Sequence, residues 1–223
     1  MTSQRFKILE QELKNLRKYF LPHQFKPDDN YTSKEIAHAI AFCVLTHAEI
    51  EAYLEDRVLE VALYAKDSWS RYQKITLPFA CLLAFSGQKL EEPPASLSSQ
   101  KLKSLEDKFS DIFLNFKDNI TNKNHGIREK NIIQLLLPIG IRSNQIDETW
   151  LQEIDNFSRR RGNFAHQSAT KKMQQVQSPE IEYNFVFRLI YGYKTPKDKR
   201  SRKYPRLPCL MDIDQLLNEL LNS

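Results

Sequence analysis

The feature that most constrains the fold is a sustained helical rhythm from Thr32 to about residue 65. Apolar residues recur at Ile36, Ile40, Val44, Leu45, Ala48, Ala52, Leu54, Val58, Val61 and Ala62, the three- and four-residue spacing of one helix face. Thr32 is followed three residues later by Glu35. In that pattern two side chains satisfy each other's orphan backbone donors at a helix start. A helix this long needs neighbours to cover its apolar stripe. With only 5 glycines in 223 residues and no long stretch of strand-like alternation, the expectation is an all-α fold: an antiparallel helix bundle with small peripheral C-terminal elements.

The other segments fit such a bundle. Residues 1–20 carry Phe6, Leu9, Leu13 and Leu16 on one stripe, and two prolines within 21–27 end it. Residues 68–85 read as one helix bearing Trp69, Tyr72, Ile75 and Leu82, with a kink at Pro78. Residues 88–99 read as an exposed loop. Residues 101–116 follow as a helix with Leu105, Phe109, Ile112 and Phe113 inward, then a polar loop at 119–126. A short apolar helix at 127–137 is stopped by Pro138 and Gly140. Asp147 caps a further helix whose core stripe is Trp150, Leu151, Ile154, Phe157 and Phe164. A fresh start at 178–180 leads into 183–193, which suits strand or helix. Asp212 with Gln215 opens a last helix. The expected organisation is an N-terminal helix and linker at 1–30, a helical core at 31–170, and an extension at 171–223 with a basic loop and the final helix.

The hydrophobic fraction of 41% and aromatic fraction of 11% suffice to bury a core and exclude wholesale disorder. Cys43, Cys81 and Cys209 form no metal-spaced pair, and an odd count argues against a disulfide framework. Cys43 and Cys81 sit in apolar surroundings, as small core residues do. Residues 1–20 have no apolar signal region, and no run approaches the ~20 apolar residues of a membrane span. A cytoplasmic protein without membrane contact is expected. Between Lys194 and Arg206 stand seven basic residues and one acid, a local charge of +6 against +5 for the whole chain. The basic character therefore belongs to one segment.

The chemistry concentrates in Arg159-Arg160-Arg161-Gly162-Asn163-Phe164-Ala165-His166. Guanidinium groups hold phosphate by charge and by a fixed fork of donors, and an imidazole moves protons near neutral pH. On a regular helix positions 161 and 166 lie five steps of about 100° apart, so roughly 140° around the axis. One chain alone places them poorly on one phosphate. Either two copies meet around a two-fold axis, or Gly162 bends the helix. A triple arginine on its own is more often a solvated face.

The segment resembles the signature of the HEPN superfamily: an arginine, four to six residues, then a histidine late in a helix. Arg161-Gly-Asn-Phe-Ala-His166 fits with four intervening residues and the typical Ala-His ending. Arg160 and Arg159 fit the longer spacings, so the register stays open. Residues 46–56, Thr-His-Ala-Glu-Ile-Glu-Ala-Tyr-Leu-Glu-Asp, resemble the first core helix of certain HEPN families, which often occur in bacterial defence and toxin–antitoxin loci. The resemblance covers about residues 33–168. The chain departs from it in Gly162, where a polar residue usually follows the arginine, and in Ser168, where one toxin branch carries a tyrosine.

What the resemblance implies is a metal-independent endoribonuclease without cofactor, acting as a homodimer, in which the ribose 2′-hydroxyl attacks the adjacent phosphate. His166 is then the general base or acid, Arg161 holds the phosphate with Arg160 as a second candidate, and Asn163 orients one or the other. Products are a 2′,3′-cyclic phosphate and a 5′-hydroxyl, and a neutralising antitoxin or defence-system partner fits the setting.

Among other residues, His47 and Glu51 are four apart and share a helix face. They are expected as a surface ion pair, with support of His166 or a metal site as alternatives. A metal needs three or four converging ligands, and no such set is visible. Lys199, Arg200, Arg202 and Lys203, interleaved with tyrosines, suit RNA contact or a solvated basic loop equally. The alternative to a nuclease is a non-catalytic RNA-binding or adaptor module.

Overall fold

The computed structural model describes residues 2–87, 104–166, 177–201 and 204–222, and of residues 163–166 the backbone alone. All regular structure among them is helical. The elements are α1 (Gln4–Phe20), α2 (Ser33–Tyr72), α3 (Leu77–Ala84), α4 (Leu105–Asp118), α5 (Glu129–Leu136), α6 (Glu148–His166), α7 (Pro179–Tyr191), α8 (Pro196–Arg200) and α9 (Leu210–Leu221).

Helix α2 is the axis of the molecule. Its start is the expected capping box, Thr32 Oγ1 accepting from Glu35 N while the Glu35 side chain accepts from Thr32 N. At 1.5 Å per residue its 40 residues extend about 60 Å. Helices α1, α3, α4, α5, α6, α7 and α9 all pack against it. They share one apolar core, from Phe6 and Leu9 of α1 to Leu217 of α9. The C-terminal helices, expected at the periphery, send Val186, Leu189, Ile190, Leu210 and Ile213 into the same core. Full burial of one such side chain contributes roughly 1.5–3 kcal/mol.

Several boundaries differ from the sequence reading. Helix α2 runs on to Tyr72 and ends where Gln73 adopts a left-handed conformation at φ 52°. Thr76 then caps α3, and Pro78 lies in its first turn, where the missing N–H costs nothing. Pro78 therefore starts a helix and kinks none. Tyr72 and Ile75 fall outside the packed stripe and are exposed. Leu105, expected inward, is exposed at the first turn of α4, while Phe109, Ile112 and Phe113 are buried. The expected polar loop at 119–126 begins as a π-helical turn, Asn119–Lys123, that buries Ile120. Of residues 183–193, those up to Tyr191 are helix, within α7, and a left-handed Gly192 ends it. Cys209, not Asp212, precedes the first turn of α9, and Asp212 accepts from Cys209 N at 2.9 Å. The loop at 88–99, the start at Lys101 and the Phe164 side chain lie outside the described residues.

A buried charge ties the two ends of the chain to the axis. Asp214 of α9 is fully buried. It accepts hydrogen bonds from Ser3 N at 2.7 Å, Ser3 Oγ at 2.6 Å and Tyr53 Oη at 2.7 Å. Its Oδ1 also lies 3.3 Å from Nε of Arg57, another buried residue. Arg57 in turn donates to Asn218 Oδ1 at 2.6 Å and to Glu60. Ser3 caps α1 at the same time, accepting from Phe6 N at 3.0 Å. One carboxylate thus fixes α1, α2 and α9 against one another.

Past α7 the chain turns back through Gly192, φ 73°, whose carbonyl accepts from Leu207 N at 2.8 Å. A β-carbon there would stand 1.9 Å from the Leu207 carbonyl oxygen, so only glycine admits this close approach.

Replacing one partner of a buried ion pair strands the other, at about 3–5 kcal/mol. Asp214→Asn should lower the urea midpoint by a corresponding amount with the slope unchanged. A midpoint equal to the wild type's would remove Asp214 as the tie between the helices.

Candidate active site

Helix α6 carries the arginine–histidine segment, and its architecture sorts the arginines. Asp147 Oδ1 accepts from Trp150 N at 2.8 Å and caps the helix as expected. Trp150, Leu151, Ile154 and Phe157 face the core, and Trp150 Nε1 donates to Leu189 O at 3.1 Å, locking α6 to α7. The helix is continuous through Gly162 to His166. No break at Gly162 alters the angular offset between positions 161 and 166.

Arg159 Nε donates to Asp155 Oδ2 at 2.6 Å, one turn back. Asp155 also accepts from Arg128 Nε at 2.8 Å and from Glu129 N at 3.1 Å. Burial alone would raise its pKa, but the hydrogen bonds from Arg128, Glu129 N and Arg159 hold it below the ordinary carboxylate value. Arg160 Nη1 donates to Glu182 Oε1 at 2.7 Å. Glu182, on α7, is fully buried, and its other oxygen accepts from Cys43 Sγ at 3.3 Å. Desolvation and the neighbouring carboxylate push the Cys43 thiol well above its usual pKa, so this cysteine is a packed donor. Arg159 and Arg160 are therefore each matched by a carboxylate.

Arg161 is half-buried, and its Nε has no hydrogen-bond partner among the described residues. Its neighbour is His47 of α2. The expectation of a surface pair at His47 and Glu51 is wrong: His47 is 1% exposed. Its Nε2 lies 3.1 Å from Ser158 Oγ, and its Nδ1 lies 3.6 Å from Glu51 Oε2, beyond a normal hydrogen bond. Burial first, then the Arg161 charge, lower its pKa to about 4. The imidazole is consequently neutral at physiological pH.

Glu51 Oε1 accepts from Gly126 N. Gly126, φ 103°, passes so close that a β-carbon there would lie 3.6 Å from both His47 Cε1 and Ser158 Oγ. One turn along α2, Glu55 accepts from Asn124 Nδ2 at 2.7 Å, and burial raises its pKa. Asn124 is held in turn by Asn131 Nδ2 at 2.8 Å. The structure thus gathers His47 and Glu51 from α2, Ser158 and Arg161 from α6, and the 124–126 loop into one polar cluster. Ser158 and the Gly126 N–H carry no sequence signal, because their partners lie 111 and 75 residues away.

The backbone at Asn163 and His166 lies on α6, while their side chains fall outside the described residues. Lys199 and Arg200 lie exposed on α8, with Lys199 Nζ 4.0 Å from the centre of the Tyr191 ring. Arg202 and Lys203 are outside the described residues. Among the described residues, no three histidine, cysteine, aspartate or glutamate side chains group as metal ligands do. No described helix is long and apolar enough to cross a membrane.

A family model described as RiboL-PSP-HEPN matches residues 5–190. The chain belongs to this HEPN family. The match takes in α1 and most of α7 as well as the 33–168 stretch in which the sequence resembles the superfamily. HEPN domains are often nucleases. No curated protein and no solved structure matches the chain.

Two outcomes follow from the cluster. His47 stays neutral down to about pH 4 in the folded HEPN domain but protonates near 6.5 once unfolded. Between those values the unfolded chain binds the extra proton. Acidification from pH 7 to 4 should therefore remove stability on the order of 2–3 kcal/mol through this group, and raising the pH above 7 should add nothing. Urea titrations at several pH values should show that dependence shrink in His47→Gln; an identical pH profile in both proteins would contradict it. Separately, Arg160→Gln strands the Glu182 charge and should cost about 3 kcal/mol of stability. Arg161→Gln, with no carboxylate partner to strand, should melt close to the wild type. Equal loss in both would erase the distinction between these arginines.

Proposed function

We propose that this HEPN protein is a metal-independent endoribonuclease that cuts RNA through the 2′-hydroxyl at a site shared by two copies of the chain. Its biological role in this reading is that of a toxin or anti-phage defence effector, with a neutralising partner as the natural control. The observation that carries the proposal is the state of Arg161. Of the three consecutive arginines it is the one with no carboxylate partner among the described residues, and it lies next to a neutral imidazole, while Asp155 and Glu182 occupy its neighbours. A cation in that state is available to a phosphate. This favours the four-residue register, Arg161 with His166, over those that begin at Arg160 or Arg159.

The chemistry balances without outside reagents. The ribose O2′ forms a bond to phosphorus as the P–O5′ bond breaks. The O2′ proton passes to a base, and O5′ gains a proton from an acid, with His166 in one of these roles. Arg161 holds the non-bridging oxygens, where negative charge builds in the transition state. His47 is held by Ser158 beside Arg161, and a neutral His47 adds no competing positive charge. Asn163 remains a candidate for orienting the phosphate or the imidazole.

The two-copy arrangement is supported by the continuous helix, which keeps positions 161 and 166 roughly 140° apart. In a two-fold dimer, each site takes Arg161 from one chain and His166 from the other.

Arg161→Ala should lower cleavage ~10²–10³-fold and His166→Ala ~10²–10⁴-fold. Denaturing and refolding the two inactive variants together places one intact site in each mixed dimer. With random pairing that restores about a quarter of the wild-type sites. Rescue of that size, read on a labelled RNA that yields a cyclic phosphate end, is the expected result. Absence of rescue would rule out the shared site, and full activity in His166→Ala would remove the nuclease. A protein that binds RNA and never cleaves it would instead fit the non-catalytic module.

A further inference from the structure

On the opposite flank of α6 from His47, a cleft of about 590 Å³ runs between α6 and α7 and reaches the chain just past α7. That volume lies within the ~300–1,000 Å³ typical of ligand clefts. Asn156 and Arg160 of α6, Asn184, Phe185 and Arg188 of α7, and Lys194 and Thr195 beyond it line most of its wall. With Gln177, three cations and three side-chain amides therefore converge around one aromatic ring.

The ring is a stacking platform already in use. The Arg160 guanidinium carbon lies 4.7 Å from the centre of Phe185, and that of Arg188 lies 5.1 Å away. The Glu182 and Glu153 carboxylates balance these arginines at 2.7 and 2.9 Å. Each guanidinium nevertheless keeps a buried donor with no acceptor among the described residues, Nη2 of Arg160 and Nε of Arg188. Lys194 is exposed and adds a charge that no described carboxylate balances. Donors and cations suit phosphate, amides suit the edges of unpaired bases, and guanidinium planes suit base faces. An acidic peptide would use the cations and leave the amides and stacked planes without a role.

We infer that this cleft is the binding track for single-stranded RNA flanking the cleaved bond. The inference rests on the nuclease reading of Arg161 and extends it to the nucleotides beside the scissile phosphate. Arg160, in the cleft wall, is the residue next to Arg161, and consecutive positions on a helix lie about 100° apart around the axis. A strand that crosses α6 from the Arg161 side passes directly into the cleft. The amides of Asn156 and Asn184 then meet the first bases beyond the cut and give the enzyme its sequence preference.

The test uses the full chain carrying His166→Ala, so that RNA binds without turnover, and a fluorescent single-stranded RNA pool of about 12 nucleotides with random sequence. Adding Lys194→Glu with Asn184→Ala should weaken binding about ten-fold or more and flatten its salt dependence. Lys194→Glu alone, at an exposed position, should give part of the loss, and the charge-matched control Lys117→Glu on α4 should give little. If the cleft variants bind like the parent while His166-dependent cleavage is observed, the track lies elsewhere and the nuclease stands. If the unsubstituted protein neither binds nor cleaves the pool, the nuclease reading falls and takes the track with it.

Discussion

Asp214 carries a charge fully shielded from water, and its position is set from two segments: by hydrogen bonds from Ser3 and from Tyr53, and by the charge of Arg57 beside Tyr53 on α2. A carboxylate in that state tolerates little displacement, because each lost partner exposes a desolvation cost of several kcal/mol. Its neighbours feel the same constraint. The Tyr53 hydroxyl is pushed far above its ordinary pKa by burial and by the Asp214 charge, so it is a permanent donor at any physiological pH. The first and last helices are thereby held on the middle of α2, and α6 and α7 pack on what is left of its circumference.

The arginine segment on α6 shows how such a framework allots charge. Three adjacent guanidiniums repel one another and would be costly on a half-buried helix face. The protein sets a carboxylate against two of them, from one turn back for Arg159 and from the facing helix for Arg160. The third meets an imidazole that burial keeps uncharged. Among these three arginines, that leaves Arg161 as the one without a described carboxylate partner, beside the point where α6 meets the 124–126 loop. The adjacent cleft holds further cations, but there two of the three are again paired.

How much of this could be read from sequence depends on how local each cause is. The start of α2 was legible because Thr32 and Glu35 are three residues apart and need nothing else. The Asp155–Arg159 pair obeys the same one-turn logic. The end of α2 was not legible: Trp69 and Tyr72 continue the helical spacing, and the stop comes from a left-handed Gln73, a conformation that glutamine does not advertise. Pro78 is ambiguous for a related reason, since a proline reads as a kink unless the helix start before it is known. The four-residue spacing puts His47 and Glu51 on one face, but whether that face meets water or Ser158 is decided by a segment 111 residues further on. The choice among the three arginines was closed to sequence as well, because Glu182 becomes a partner only once α7 lies beside α6.

The length of α2 has one more consequence. Tyr53 and Arg57, which hold the chain ends, stand six and ten residues beyond His47 on the same rod, about 9 and 15 Å along its axis. A stiff rod transmits translation and rotation without help from any relay of side chains. Substitutions near either terminus, far outside the arginine segment, can therefore retune the imidazole's approach to Ser158. Natural variation among such chains should be sought as compensating changes at the two stations along this shaft.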